Sequence, residues 1–297
     1  VNTLRHHLEY ALLLFLKGLV RLTPYSCHKY FAKTLKWAVK RFDKRHFRQV
    51  AQNLLLAFPS MNEVERNNLR ERIYTHFSTV ITEWLYLFTH RRRPPDALPV
   101  TLINPEYLQS ILDSDSGAIF ISAHFGNWEL IPFILKDLLP SPLIAIARPM
   151  NNPLIERIVS QFRHFMGSQI IYKHGALRKI ISHLKEKRMI YLLIDQNAVP
   201  REAVFVDFFS HKASAISSAA QIHLKKRAPL LPLFLHYEKD QIVLEFLPPI
   251  LPDQSKRTVE SLTQELLKSI ELQIRKNPEQ WFWFHNRWKT RTNGVSI

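Results

Sequence analysis

The segment His124-Phe125-Gly126-Asn127-Trp128-Glu129-Leu130 sets a histidine and a carboxylate five positions apart across a Gly-Asn pair. An imidazole that titrates near neutrality, with a carboxylate to orient it, is a common means of taking a proton from a hydroxyl. On one continuous helix, at about 100° per residue, such a pair lies roughly 140° apart around the axis and does not converge. A bend must therefore lie between them. The apolar run Ala118-Ile119-Phe120-Ile121 just before reads as a buried strand, so His124 falls past its C-terminal end, where open α/β sheets place their sites. Phe125 and Gly126 then make the turn, Asn127 serves as a helix N-cap, and Glu129 lies in the first helical turn facing His124. The helix N-terminus offers free N–H groups for an oxyanion, with Gly126 and Asn127 as its support. A capping histidine beside a dipole-compensating glutamate is the competing reading, and the segment alone leaves it open.

Positioning such a pair needs a sheet. After Val100 short apolar runs alternate with helical patterns: strands are expected at Ala118 to Ser122, Leu143 to Ala147, Gln169 to Tyr172, Met189 to Ile194, Leu230 to Leu235 and Ile242 to Phe246. Helices are expected at Trp128 to Leu138, Pro153 to Met166, Gly175 to Lys187, Ser214 to Arg227 and Val259 to Lys276. That alternation predicts an α/β fold, a largely parallel central sheet with helices on both faces. Asp195 and Gln196 end another strand of this sheet and are expected to line the site at the same edge as His124. Before it, Leu4 to about Phe88 is helical throughout, with helices over Tyr30 to Phe42, Phe47 to Phe58 and Asn62 to Phe88. Arg91-Arg92-Arg93-Pro94-Pro95 closes the series, so the expected division is a helical region, 1–95, and an α/β domain, 96–297.

Composition narrows the classes. The chain has 297 residues, 46% of them hydrophobic, enough for a substantial core. Its net charge of +16 calls for an anionic partner. No recognition helix or RNP-like pattern accompanies that charge, so nucleic acid is not expected. One cysteine, Cys27, leaves no internal disulfide and no Cys-x-x-Cys zinc site. There is no GxGxxG, P-loop or HExxH, so neither a cofactor nor a metal is expected. The N-terminal run Leu8 to Val20 is 13 residues with Glu9 and Lys17 inside it, shorter than the roughly 20 a clean span needs. It reads as a helix lying in a membrane surface, with Lys17 and Arg21 at headgroup level, as a buried amphipathic helix, or, least favoured by its length, as a true span.

In order and spacing, HFGNWE at His124, ARPMNNP from Ala147, IDQN from Ile194, FVDFF from Phe205 and PEQWFWFHNRWKTR from Pro278 to Arg291 resemble the bacterial lipid A biosynthesis acyltransferases. These are the late, lauroyl- and myristoyl-type enzymes, a branch of the lysophospholipid acyltransferase superfamily. The resemblance covers nearly the whole chain. It implies transfer of a fatty acyl chain from acyl carrier protein to the hydroxyl of a 3-hydroxyacyl chain on a Kdo-modified lipid A precursor. It also implies a place at the cytoplasmic face of the inner membrane, reached through the N-terminal apolar helix. By the same resemblance His124 is the general base and Glu129 its charge-relay partner. Arg148 and Arg163 match basic positions that suit a phosphate or carboxylate of the acceptor. The aromatic run Trp281 to Phe284 is expected to be structural first and substrate-facing second.

The chain departs from the family pattern where Pro200-Arg201-Glu202-Ala203, Ser210 and Arg227 stand at or near usual glycines. These departures bear on acceptor and chain length more than on reaction type. An acyl-CoA-dependent transferase acting on another glycolipid or phospholipid, and a catalytically silent membrane scaffold, are the alternatives.

Overall fold

The computed structural model describes residues 2–94, 97–172, 175–199, 203–252 and 257–290. Four helices come first: α1 (Asn2–Leu22), α2 (His28–Phe42), α3 (Lys44–Ala57) and α4 (Glu63–His90). The longest, α4, opens on a capping box in which the Asn62 side chain accepts from the Glu65 N–H while the Glu65 carboxylate accepts from that of Asn62. The break expected around residues 95 and 96 lies outside the described residues.

A seven-stranded sheet follows, built from β1 (Val100–Ile103), β2 (Ala118–Ser122), β3 (Leu143–Ala147), β4 (Ser168–Tyr172), β5 (Met189–Leu193), β8 (Leu230–Tyr237) and β9 (Ile242–Phe246). Its order is β1-β9-β8-β2-β5-β3-β4. The five strands from β8 to β4 run parallel, while β9 runs antiparallel to β8 and carries β1 beside it. The fold is thus the α/β architecture with a mostly parallel sheet that the alternation predicts. Three strands are not among those expected: the edge strand β1, and β6 (Ala203–Phe208) and β7 (His211–Ile216), which form a separate antiparallel hairpin.

Alternate residues of the central strands feed two cores. On β2, Ile119 and Ile121 join one with α3, α8 (Ala176–Lys185), α9 (Ser218–Lys226) and α10 (Val259–Lys276). Ala118 and Phe120 join the other with α5 (Pro105–Asp113), α6 (Ile131–Leu135) and α7 (Pro153–Phe165). Helix α4 contributes to both: Leu69, Ile73 and Phe77 to the first, Leu87 and Phe88 to the second. Each such fully buried side chain stabilises the fold by about 1.5–3 kcal/mol.

Two expected helices differ. The segment from Trp128 to Leu138 is a 3-10 turn over Trp128–Leu130 followed by the five-residue α6. Pro132 in the first turn lacks an N–H, and no side chain caps either piece. In the segment from Ser214 to Arg227 the first residues belong to β7, because Ala213 and Ala215 alternate into the core and the backbone pairs with β6. Of the glycine replacements, Ser210 (φ 61°) and Arg227 (φ 54°) both sit in the left-handed region that glycine adopts without cost. Pro200, Arg201 and Glu202, like Arg291, lie outside the described residues.

Among the described residues no helix is long and apolar enough to cross a membrane. Helix α1 instead packs Val20 inward and leaves Leu4, Leu8, Leu12 and Phe15 exposed along one stripe.

Candidate active site

His124 lies two residues beyond β2, and Asp195 two residues beyond β5. The register pairs Ser122 with Leu193, so the two loops leave the sheet edge side by side. His124 Nδ1 lies 2.8 Å from Asp195 Oδ1, and the His124 backbone N–H donates to Asp195 Oδ2 at 3.1 Å. Trp281 Nε1–H donates to the same Oδ2 at 2.8 Å. Asp195 is buried, 1% exposed. Burial alone would raise its pKa, but the charge and hydrogen bonds of His124 and the indole N–H of Trp281 hold it below the ordinary carboxylate value. An ionised Asp195 accepts a hydrogen bond from the Nδ1–H tautomer of His124, the tautomer in which Nε2 is an acceptor. The Gln196 amide lies 3.3 Å from that nitrogen, placed to donate to it.

Glu129, expected opposite His124, is engaged elsewhere. Its carboxylate makes a two-point pair with Arg163 of α7, Nη2 to Oε1 at 2.6 Å and Nε to Oε2 at 3.3 Å. The reason is local geometry: without a regular helix after Asn127, the 3-10 turn directs Glu129 toward α7. Arg163, expected to hold an acceptor anion, is thereby charge-balanced from within the chain. Arg148 stands exposed just past β3 at the same sheet edge, without contact to His124.

The oxyanion support expected from Gly126 and Asn127 also differs. The Gly126 N–H donates to the Gln280 carbonyl at 2.8 Å. Asn127 caps no helix; its amide donates to Glu83 and Tyr237. The short segments that follow are too short to sum a substantial helix dipole. Gly126 is needed for its turn, with φ +57° and no room for a Cβ against the Leu235 carbonyl. Gly126→Ala should therefore cost roughly 3–5 kcal/mol of stability through strain and overlap. Urea unfolding would measure it, and a loss under about 1 kcal/mol would show that the turn relaxes.

The aromatic segment is the part of the site least evident from spacing. The Phe282 N–H donates to the His124 carbonyl at 2.9 Å, and Trp281 bridges to Phe125, so this stretch runs antiparallel beside the histidine loop. Its side chains alternate. Trp281 and Trp283 are buried at 1% and 0% exposure, while Phe282 and Phe284 line a cavity of about 400 Å³. Leu35 and Val39 of α2, Phe77, Ile81 and Trp84 of α4, and Trp128 and Glu129 complete most of the lining. The His124 ring touches two of these walls, with centroids 5.1 Å from Trp128 and 6.1 Å from Phe282. A strict two-residue alternation in WFWF was the available signal. Among the described residues, no group of three or more His, Cys, Asp or Glu side chains has the geometry to hold a metal ion.

A polar hydrogen-bonded histidine thus packs behind Trp128 and Phe282, two walls of an apolar cavity of a size that suits small organic ligands. The model of the bacterial lipid A biosynthesis acyltransferases matches residues 1–290. The chain belongs to that family. It is 27% identical over 270 residues to the lipid A biosynthesis lauroyltransferase of Escherichia coli K12, covering 86% of this chain and 83% of that one. It is 23% identical over 265 residues to lipid A biosynthesis acyltransferase 2 of Shigella flexneri, covering 88% and 82%. A phosphatidylinositol mannoside acyltransferase of Mycolicibacterium smegmatis is 24% identical over 191 residues, 63% of this chain and 62% of its own. This protein is accordingly an acyltransferase of the lipid A type.

Three more ionisable groups of this acyltransferase lie close to the site. Burial pushes His76 of α4 down to about 4, against a hydrogen bond to the Gly126 backbone. Burial likewise takes His285 to about 4, with Asp195 pulling it up and Arg287 pushing it down. His285 Nε2 accepts from the Asn197 N–H at 3.0 Å. Arg287, fully buried, donates to the Ser214 carbonyl at 2.6 Å and is lowered to about 10, by burial, with Asp195 opposing. Both histidines are neutral when folded but take a proton near pH 6.5 when unfolded. Their stabilisation is complete above about pH 6.5 and falls away toward pH 4, by about 3 kcal/mol each at most. Asp195, lowered rather than raised, adds its own loss only below the ordinary carboxylate range. Thermal unfolding between pH 7.5 and 4.5 should show Tm dropping mainly below pH 6.5; a flat profile there would contradict the burial of these rings.

Proposed function

We propose that this acyltransferase moves a fatty acyl chain from acyl carrier protein to the hydroxyl of a 3-hydroxyacyl chain on a Kdo-modified lipid A precursor. His124 acts as general base, with Asp195 as its orienting carboxylate. The observation that carries this reading is the His124–Asp195 hydrogen bond beside the apolar cavity.

The acceptor hydroxyl takes the place of the Gln196 amide at His124 Nε2 and gives up its proton there. Its oxygen attacks the thioester carbonyl carbon, forming the ester C–O bond. The C–S bond then breaks, and the leaving sulfur takes the proton back from the imidazolium. Asp195 stays ionised throughout and stabilises the transient positive ring. No covalent enzyme intermediate is required. The cavity lined by Phe77, Trp84, Trp128, Phe282 and Phe284 receives an acyl chain, whose burial is favourable in proportion to its apolar area. The Glu129–Arg163 pair closes one end of that wall and holds the loop on α7, and Arg148 at the sheet edge is available to an anionic group of the acceptor.

The exposed apolar stripe of α1, together with the net charge of +16, supports work at an anionic membrane surface, with α1 lying in the interface rather than spanning it. The cytoplasmic face of the inner membrane is the place where such a donor and acceptor meet. Incubating the purified protein with the tetra-acylated Kdo-modified precursor and a panel of acyl carrier protein thioesters should add one acyl mass, read by mass spectrometry. If only acyl-CoA and a phospholipid or mannoside acceptor gave product, the activity would be that of the other glycolipid transferases instead.

A further inference from the structure

Asn127 sits three residues after His124, is 2% exposed, and turns away from the imidazole. Its Nδ2 donates to Glu83 Oε2 at 3.3 Å and to the Tyr237 hydroxyl at 3.1 Å. The Tyr237 hydroxyl donates in turn to the same Glu83 oxygen. The three side chains close a ring in which the carboxylate only accepts, the amide only donates and the hydroxyl does both. Glu83 reaches this ring from α4, and Tyr237 from the C-terminal end of β8.

The ring is tied to the catalytic turn a second way. The Tyr237 N–H donates to Gln280 Oε1 at 2.8 Å, Gln280 Nε2 donates to the Tyr237 carbonyl at 2.7 Å, and the Gln280 carbonyl accepts from Gly126. Glu83 thus holds Asn127 and Tyr237 side by side, and the Tyr237 backbone and Gln280 carry that hold on to Gly126, while His76 of α4 adds a separate hydrogen bond to the Gly126 backbone. Burial raises the Glu83 pKa, and the Tyr237 and Asn127 hydrogen bonds oppose that, with Arg93 adding attraction. No step of the transfer chemistry uses this carboxylate, yet it is desolvated beside the loop where that chemistry takes place.

We propose that Glu83 is a positioning residue for His124: through Asn127 and Tyr237 it sets the turn that holds the imidazole between Asp195 and the cavity wall. The inference rests on the acyl-transfer reading for its kinetic consequence but not for its geometry. Both contacts fall on the same Glu83 oxygen, so in Glu83→Gln the amide oxygen can take its place and the ring still closes. Glu83→Leu keeps most of the volume but removes the acceptor, leaving Asn127 and Tyr237 without the group that joins them to α4.

The test measures kcat, KM, the thermal midpoint and the rate at which diethyl pyrocarbonate modifies His124, the last by peptide mass spectrometry. Glu83→Leu is expected to lower kcat by about 10²-fold with KM within about twofold, as a small misplacement of a catalytic group does. Its His124 modification rate should change, whereas Glu83→Gln should keep most of the kcat and the wild-type modification rate. A purely structural Glu83 would lower the thermal midpoint and leave kcat per folded molecule alone. Wild-type kcat and modification rate in Glu83→Leu, or a Glu83→Gln no better than Glu83→Leu, overturns the proposal. Should Glu83→Leu fail to fold, Tyr237→Phe removes only the shared hydroxyl, and an unchanged kcat and modification rate in that variant has the same meaning. If the wild type transfers no acyl group, the functional reading fails, while the modification rates still decide the positioning role.

Discussion

His124→Ala is expected to lower kcat for acyl transfer by about 10²–10⁴-fold, the range that a positioned general base contributes. The removed imidazole takes with it the acceptor for the substrate proton and the donor to the leaving sulfur. Binding should survive, because the walls that receive an acyl chain are Trp128, Phe282 and their neighbours rather than the histidine. Acyl mass added per unit time in the wild type and the variant, at several donor concentrations, reads both quantities. A variant as active as wild type would remove His124 from the mechanism. A variant with unchanged kcat and raised KM would recast it as a binding residue.

Asp195→Asn should be at least as damaging, about 10³–10⁴-fold in kcat, by a different route. An asparagine can set its NH2 group toward Nδ1 of His124, which makes Nδ1 an acceptor and puts the ring proton on Nε2, where no hydroxyl can lose its own. The ¹⁵N shifts of His124 report this directly: Nδ1 protonated in the wild type, Nε2 protonated in the variant. Glu129→Gln acts on another contact. It loosens the hold of Arg163 on Glu129, which lines the cavity, and should leave the His124 tautomer as it was, whatever it does to turnover. If Glu129→Gln switched the tautomer and Asp195→Asn did not, Glu129 would be the relay partner after all. The same pair of spectra therefore chooses between the two carboxylates independently of rate.

Much of the scaffold was legible because its signals are local. The strand ranges at Ala118, Leu143, Met189 and Ile242 follow from short apolar runs, and helix α10 from a stripe at helical spacing, since side-chain direction repeats every 2 or 3.6 residues whatever the rest of the chain does. The same logic placed His124, Asp195 and Gln196 at one sheet edge. It failed where tertiary contact outweighs propensity. The segment around Ser214 is rich in alanine and serine yet becomes a strand, because β6 offers it a backbone ladder. The helix expected from Trp128 is broken after Leu130, where Pro132 has no N–H to continue the turn, and it starts without a cap because the Asn127 side chain is committed to Glu83 and Tyr237.

By itself the sequence determined the layered architecture, the histidine at a strand end, and, through motifs in fixed order, the acyltransferase family. The tertiary structure alone decided which carboxylate meets that histidine. Glu129 is five positions away but on a turn that points to Arg163. Asp195 is 71 positions away but adjacent, because β2 and β5 pair in a register that brings the ends of both strands level. Spacing along the chain measures distance only within one continuous element. Once a bend intervenes, strand pairing and the packing of α4 and α7 determine which groups come together.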